Sequence, residues 1–221
     1  ATSYPIARVA TKIAVGYRLD EILLGKNKAH ALFEPQVNYT VLKMPRWPFD
    51  KFTAADKHIG TKMKATGEVM AIGETFEAAF LKALRSLELN AYSLRSPRLM
   101  ALSDGEVAKN LRVQSDERIF YVFESLRRGV PVSEIYDATK IDPWFLERMK
   151  GMCAMEASIE RAGADGLTKE LLLDAKIHGV SDAAIAQLTG LTEQEVRQKR
   201  KALGVLPNYK VVDTCPHAPG G

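Results

Sequence analysis

The chain has 221 residues, 46% of them hydrophobic and 26% charged, with a formal net charge of +4. This composition is that of a globular protein and excludes an intrinsically disordered one. The positive excess lies entirely in residues 1–90, which hold 13 basic and 9 acidic side chains, whereas residues 91–221 hold 18 of each. The neutral second part argues against nucleic-acid binding there, because phosphate binding needs clustered basic groups.

Cysteine usage and apolar patterning indicate a reduced, intracellular setting. Cys153 and Cys215 are too few for a disulfide framework or for a zinc site by themselves. No apolar run reaches the roughly 18 to 20 residues that span a membrane, and the first residues lack the pattern of a signal peptide. We predict a cytoplasmic protein, or a mitochondrial one in a eukaryote, and interpret the start at Ala1, without Met, as that of a fragment.

The first 89 residues mix helix and strand signals. A helix is predicted at 6–14, followed by a polar loop at 25–36. One face of this helix is expected to be buried along its whole length. That face carries Ile6, Val9, Ala10, Ile13 and Ala14.

Two β-prone runs and a second helix complete this part. Strands are predicted at 37–44, stopped by Pro45, and at 68–72 between two glycines. Thr75 is placed to cap a helix with one apolar stripe. With so few strands, residues 1–89 are not expected to close a core of their own.

After a loop containing Pro97, strand signals end and helix signals repeat. The apolar spacing and the capping residues Thr168, Ser181 and Thr192 predict an all-α part. Its predicted helices lie at 118–128, 133–139, 142–153, 168–177, 181–189 and 192–203. We place a domain boundary at residues 89/90, with 90–207 as a helical domain and 208–221 as a tail.

The helical part carries a weak internal repeat at an offset of 50 residues. The matching pairs are Gly129/Gly179, Val130/Val180, Ile135/Ile185, Thr139/Thr189, Ile141/Leu191, Asp142/Thr192 and Leu146/Val196. Duplication of a packing unit and the chance likeness of two apolar helical hairpins both explain these matches.

The helix at 118–128 carries large apolar side chains on two faces. Phe120 and Tyr121 point away from the stripe that contains Val122 and Phe123. One hypothesis is that a second copy of the chain covers the extra face, giving a homo-oligomer through the helical part. The alternative is that both faces lie inside one domain core.

Few residues are candidates for chemistry, since no phosphate loop, His-Glu-x-x-His or Cys-x-x-Cys motif occurs. A Cys153–His178 dyad is conceivable, but Cys153 lies on an apolar stripe and a buried structural thiol is favoured. Arg46-Trp47 follows a strand and is a candidate for binding a phosphate or stacking on a ligand. The competing interpretation is a strand-end arginine packed over Trp47.

Residues 181–203 have the offsets of a helix-turn-helix, with Ala186, Gly190 and Val196 as the small, turn and buried positions. Arg197, Lys199, Arg200 and Lys201 cluster near the end of the second helix. Glu193 and Glu195 occupy its start, where carboxylates repel phosphates. A structural hairpin is therefore favoured over a DNA-binding regulator, which stays the alternative function.

Two long stretches resemble a known family. They are FEPQVNYTVLKMPRW at 33–47 and MKATGEVMAIG at 63–73, the latter continuing into TFE at 75–77 and KALRSLE at 82–88. Shorter supporting matches are IDPWFL at 141–146 and YKVVDTC at 209–215. All are similar, in order, to the large subunit of carbamoyl-phosphate synthetase.

The resemblance implies an α+β chain: residues 1–89 would end an ATP-grasp unit and residues 90–207 would form an oligomerisation domain. It implies a piece of the ligase that makes carbamoyl phosphate from bicarbonate, ammonia or glutamine and two ATP, for arginine and pyrimidine synthesis. Expected partners are the remainder of the large subunit and a glutaminase small subunit, with neither nucleic acid nor membrane. The parent family uses ATP with Mg or Mn and potassium.

The family's ATP and metal residues lie upstream of Ala1, so we assign no catalytic, cofactor-binding or metal-binding residue to this chain. We predict a scaffold and oligomerisation role, without catalysis by this chain alone. The sequence departs from the family at Ser3, at Glu74, where the family usually has Arg, and after Cys215. Glu74 puts an anion contact at that turn in doubt.

Overall fold

A computed structural model of the chain describes residues 4–24, 29–34, 37–89 and 92–212. The chain divides into two units, one made of residues 1–40 with 208–221 and the other of residues 41–207. Most of the predicted tail lies outside the described residues, as do Cys215 and parts of the predicted loop at 25–36.

The first unit contains the helix α1 (Ile6–Ala14) and two short strands, β1 (Leu23–Leu24) and β2 (Ala29–His30). The strands pair antiparallel, with Leu23 opposite His30. The Tyr4 hydroxyl donates a hydrogen bond of 2.5 Å to the Ala31 carbonyl.

The predicted helix at 6–14 is confirmed, but its long buried stripe is wrong. Val9 is buried together with Ile22 and Ala31, whereas Ile6 is 70% exposed and Ile13 46% exposed. The apolar residues available in this small unit cover only one turn of the helix.

The second unit begins with a two-stranded sheet of β3 (Thr40–Arg46) and β4 (Gly67–Gly73). The predicted strand at 68–72 is confirmed. The other strand is shifted from the predicted 37–44, and it passes through Pro45 instead of stopping there. In a two-stranded sheet each strand has a free edge, where the missing N–H of a proline is tolerated.

Helices follow the sheet in the second unit. They are α2 (Phe76–Ser86), α3 (Pro97–Met100), α4 (Asp104–Leu111), α5 (Arg118–Arg127), α6 (Val132–Thr139), α7 (Pro143–Ala162), α8 (Lys169–Ile177), α9 (Asp182–Thr189) and α10 (Glu193–Ala202). Within the described part of the chain no strand follows β4, so the α+β class with an all-α second part is confirmed.

Short-range capping explains why most helix starts match their predicted positions. The side chains of Thr168, Ser181 and Thr192 each accept a hydrogen bond from a backbone N–H three residues ahead. The prediction missed α3 and α4, which lie in the stretch interpreted as a loop. Ser103 and Glu106 form a capping box at the start of α4, a signal that the sequence already contained.

The predicted repeat corresponds to two similar local structures. Gly129 and Gly179 both end a helix with positive φ, at 82° and 85°. Ile135 and Ile185 are both fully buried. The helices α5, α6 and α7 therefore correspond, in order, to α8, α9 and α10, and successive helices start at nearly the same intervals in both sets. Duplication and chance likeness both still explain the repeat.

The helix α5 lies within the core of its own unit. Tyr121 is 5% exposed and Phe123 1% exposed, and Phe120 packs against the same core. Tyr121 therefore lies inside the core, as the one-core alternative predicts, and Phe120 is partly buried against that core.

The same core extends across the predicted boundary at residues 89/90. Phe80 of α2 and Phe123 of α5 have ring centroids 5.5 Å apart, and α2 also contacts α7. The boundary itself stays a prediction. Among the described helices, none has the length and hydropathy of a transmembrane segment.

Candidate functional site

Two of the four basic residues that cluster in the sequence near the end of α10 have internal partners in the fold. Arg200 is 9% exposed; its Nε lies 2.8 Å from the Asp182 carboxylate, and its Nη1 donates to the Val205 carbonyl. Lys199 donates to the Ala164 carbonyl at 2.5 Å. The arrangement therefore stabilises the turns around α10 instead of presenting four cations together.

The start of α10 presents acidic groups, as its sequence indicated. Glu193 and Glu195 are exposed. The backbone N–H and the hydroxyl of Thr192 donate to the Glu195 carboxylate and hold its pKa below the usual value. A helix start with ionised carboxylates repels DNA phosphates, and nothing in this hairpin supports the DNA-binding alternative.

Cys153 and His178 each have other partners, and no contact between them is observed. The Cys153 thiol is buried, with its Sγ 3.7 Å from the Phe123 carbonyl. Burial raises its pKa to about 11, which suits a structural thiol and not a nucleophile. The His178 Nδ1 lies 2.9 Å from the Asp174 carbonyl on the same helical turn.

Buried carboxylates lie at the centre of polar networks in the helical part. Glu124 is 4% exposed and forms ion pairs with Arg127 and Arg128. Arg127 also donates to the Leu94 carbonyl, and Arg128 to the Leu99 carbonyl. The network therefore joins α5 to the segment around α3.

A second buried acid, Glu156 of α7, holds the segment that precedes α3. Its Oε1 accepts from the Leu94 N–H at 2.8 Å and from the Ser93 hydroxyl at 3.0 Å. Burial raises the pKa of Glu156, whereas these hydrogen bonds and the nearby Arg127 and Arg95 act to lower it. This carboxylate therefore links α7 to a segment more than 60 residues earlier in the chain.

The prediction missed these buried acids. Glu156 continues the apolar stripe of Met149, Met152 and Cys153 at helical spacing, and an acid within such a stripe is a sign of a buried, paired carboxylate. Nothing in the sequence indicated its partners, since Ser93 lies 63 residues away.

Arg46 and Trp47 lie at the end of β3, in the wall of a cavity of about 680 Å³. The Arg46 guanidinium donates to the Trp47 carbonyl at 2.5 Å and to the Asp50 carboxylate at 2.7 Å. Its partners are local, as expected for a strand-end arginine. Arg46 bonds to the backbone carbonyl of Trp47, whereas the sequence interpretation had the arginine packed over the Trp47 side chain. The candidate pair nevertheless faces a space large enough for a ligand.

Aromatic side chains stand partly exposed where α7 begins. Trp144 is 50% exposed and Phe145 41% exposed. Both rings pack on Phe76 of α2, with centroids 5.5 and 5.6 Å apart, and Arg148 lies over the Trp144 ring. A rigid, partly exposed aromatic cluster beside an arginine is typical of association surfaces.

Comparison with known families gives a match to most of this unit. Residues 68–204 match the model described as carbamoyl-phosphate synthetase large chain, oligomerisation domain.

Curated relatives extend the similarity to almost the whole chain. The carbamoyl phosphate synthase large chain of Caldanaerobacter subterraneus is 50% identical over 97% of this chain and 20% of its own length. The arginine-specific large chain of Bacillus subtilis is 49% identical over 97% of this chain and 21% of its own length. The large chain N-terminal section of Aquifex aeolicus is 47% identical over 97% of this chain and 38% of its own length. The chain thus spans about a fifth of the length of the full large chains that it matches.

Successive packed helices, buried acids with internal partners and a partly exposed aromatic cluster characterise a helical domain of the larger unit. The particular family follows from the comparisons. The chain belongs to the carbamoyl-phosphate synthetase large-chain family, and the resemblance seen in its sequence is confirmed.

Proposed function

We propose that this chain is the scaffold and association part of a carbamoyl-phosphate synthetase large chain. The parent reaction is the ATP-dependent formation of carbamoyl phosphate from bicarbonate and ammonia or glutamine, for arginine and pyrimidine synthesis. The match of residues 68–204 to an oligomerisation domain is the observation that carries the proposal. The partners are the remainder of the large chain, a glutaminase small subunit and further copies of this chain, in the cytoplasm.

No cofactor is assigned to this chain, while ATP, Mg or Mn and potassium belong to the parent activity. Among the described residues, no group of three or more His, Cys, Asp or Glu is arranged to hold a metal ion.

The aromatic cluster at the start of α7 is the surface that we assign to association. Trp144 and Phe145 offer large rigid rings that lose little conformational entropy on binding. Arg148 adds a cation that lies 3.6 Å from Glu77, so a partner meets a fixed charge pair at the edge of the rings. Tryptophan and arginine are the residues most often responsible for binding energy at interfaces.

Light scattering of the purified chain over a wide concentration range tests this surface. We expect the mass to rise with concentration, and the double variant Trp144→Ala/Phe145→Ala to stay monomeric. Leu173→Ala is the matched control, because Leu173 is 47% exposed on α8 and lies outside the cluster. A double variant that is folded by circular dichroism and associates as the parent chain does would contradict the assignment.

A further inference from the structure

The cavity beside Arg46 and Trp47 is a candidate ligand site that the scaffold role does not use. Its volume of about 680 Å³ falls within the range of small-molecule sites. It lies between the end of β3, the C-terminal half of α2 and the starts of α3 and α5. Much of its wall is apolar and includes Leu84, Phe120 and Trp47.

Most charges in the wall are already neutralised by neighbours. Arg46 pairs with Asp50 at 2.7 Å, and Arg98 pairs with Glu117 at 2.7 Å. Arg95 donates to both carboxylate oxygens of Glu160, at 2.5 and 2.6 Å. These three cations therefore have acidic partners without a ligand.

Arg118 differs, because its partners are backbone carbonyls. Its Nε donates to the Leu111 carbonyl at 3.0 Å, and its Nη2 donates to the Thr139 carbonyl at 3.2 Å and the Ala138 carbonyl at 3.4 Å. Among the described residues, no carboxylate lies within ion-pair distance of this guanidinium. Burial lowers the pKa of Arg118, which means that burial disfavours its positive charge. A bound anion would stabilise that charge.

Asp116 is the acid of the wall that has no ion pair among the described residues. Its Oδ1 is closed off from solvent and accepts no hydrogen bond there. Burial and the neighbouring Glu117 raise the pKa of Asp116, while Lys57 acts in the opposite direction. Among the described residues, Arg118 and Lys57 are thus the wall cations without an ion pair, and a charge on Asp116 would oppose an anion in the cavity.

We infer that this cavity binds a small organic anion, a carboxylate or sulfonate with an apolar or aromatic body. Arg118 supplies the charge-assisted hydrogen bond, and the apolar wall buries the body of the ligand. This inference rests on the cavity alone and does not depend on the proposed function.

The test uses 8-anilinonaphthalene-1-sulfonate, an aromatic anion that accepts energy from tryptophan. The whole chain with Trp144→Phe retains Trp47 as its one tryptophan, since the sequence contains two. We expect saturable 1:1 quenching of Trp47, and competition by small aromatic carboxylates.

Three variants in this background test whether the cavity favours a negatively charged ligand and whether the ligand binds beside Arg118. Arg118→Gln is expected to weaken binding about tenfold or more. Asp116→Asn is expected to tighten it about two- to fivefold, because a like charge is removed. The exposed Arg197→Gln on α10 is the matched control and is expected to bind as the parent does.

Arg118→Gln also removes hydrogen bonds to two helix ends, so its fold is checked by circular dichroism. If it does not fold, Ser115→Phe replaces it, since Ser115 lines the cavity and this change reduces its volume while Arg118 is retained. Absence of saturable quenching, binding unaffected by both the Arg118 and the Ser115 changes, or weaker binding in Asp116→Asn would overturn the inference.

Discussion

At the scale of single residues, burial decides how the ionisable groups behave. The Cys153 thiol lies in the core with its pKa raised to about 11, and the acids Glu124, Glu156 and Asp182 are all less than 10% exposed. Each of these acids has hydrogen-bond donors placed around it, because an unpaired carboxylate in the interior costs several kcal/mol. The polar groups of this unit therefore hold its parts together.

The first prediction concerns the reactivity of Cys153. In a Cys215→Ser variant at pH 8, we expect an aromatic disulfide reagent to label Cys153 very slowly in the native chain and at once in denaturant. The reason is that the thiolate is the reactive form and burial suppresses both ionisation and access. Absorbance of the released thiolate measures the rate. Rapid labelling under native conditions, at the rate of the denatured chain, would show that the thiol is not buried.

The second prediction concerns Asp182. Burial works to raise its pKa, but hydrogen bonds from Lys176 and Arg200 outweigh burial, so the pKa lies below its usual value. A lowered pKa in the folded state means that the ionised carboxylate stabilises the fold above pH 3.8 and that this contribution is lost as pH falls through the folded pKa. We expect Asp182→Asn to lose about 3 kcal/mol at pH 7.

Urea unfolding between pH 3 and pH 7 measures this difference. It should shrink as the solution becomes more acidic than pH 3.8, because the parent then loses the ionised carboxylate. Asp165→Asn, at an exposed position, is the control and should change stability little. An equal loss for Asp182→Asn at every pH would argue against the role of its charge.

At the scale of the elements, two glycines of the internal repeat allow a matched comparison. Gly129 ends α5 and Gly179 follows α8, both with positive φ. A side chain at Gly129 meets no atom within 4 Å, whereas a Cβ at Gly179 would lie 2.7 Å from the Ala78 Cα in α2. The two copies of the repeat therefore share a turn conformation but differ in what packs against the turn.

The third prediction follows from that difference. Gly129→Ala should lose about 1 kcal/mol, because alanine is strained at positive φ. Gly179→Ala should lose about 3 kcal/mol, since the backbone of α2 must also move away. Thermal and urea unfolding of the two variants give the comparison directly. Equal losses at the two positions would show that α2 does not pack closely on this turn.

At the scale of the whole molecule, the larger of the two units pairs many of its buried charges internally and exposes aromatic rings at the start of α7. The exposed rings are the surface that we propose for association. Within this unit, the segment of β3, β4 and α2 packs on the later helices through the Phe80–Phe123 contact. Catalysis is a property that we assign to the parent protein.

The fourth prediction is that this chain alone neither hydrolyses ATP nor forms carbamoyl phosphate. Phosphoryl transfer requires metal ions and basic groups fixed around the phosphates, and we assign no residue of this chain to either role. A coupled assay for ADP with bicarbonate and ammonia should show no release above a heat-denatured sample. Bicarbonate-dependent ADP formation that persists through purification would contradict this expectation.

The sequence by itself determined the α+β class, the family and most helix starts, because these depend on local signals. Thr168, Ser181 and Thr192 cap helices through bonds to residues only three positions away. Helical spacing also identified α5, and the capping box that marks α4 was equally local, although the prediction missed it.

The tertiary structure alone decided which faces are buried and which charges are paired. Amphipathic spacing shows that a face is apolar but does not show what covers it, so Tyr121 proved to be core while Trp144 proved to be half exposed. The partners of Glu156 and of Arg118 come from segments distant in the chain, at Ser93 and Thr139. Such long-range contacts arise only when the helices pack, because packing alone brings together groups that no local sequence pattern relates.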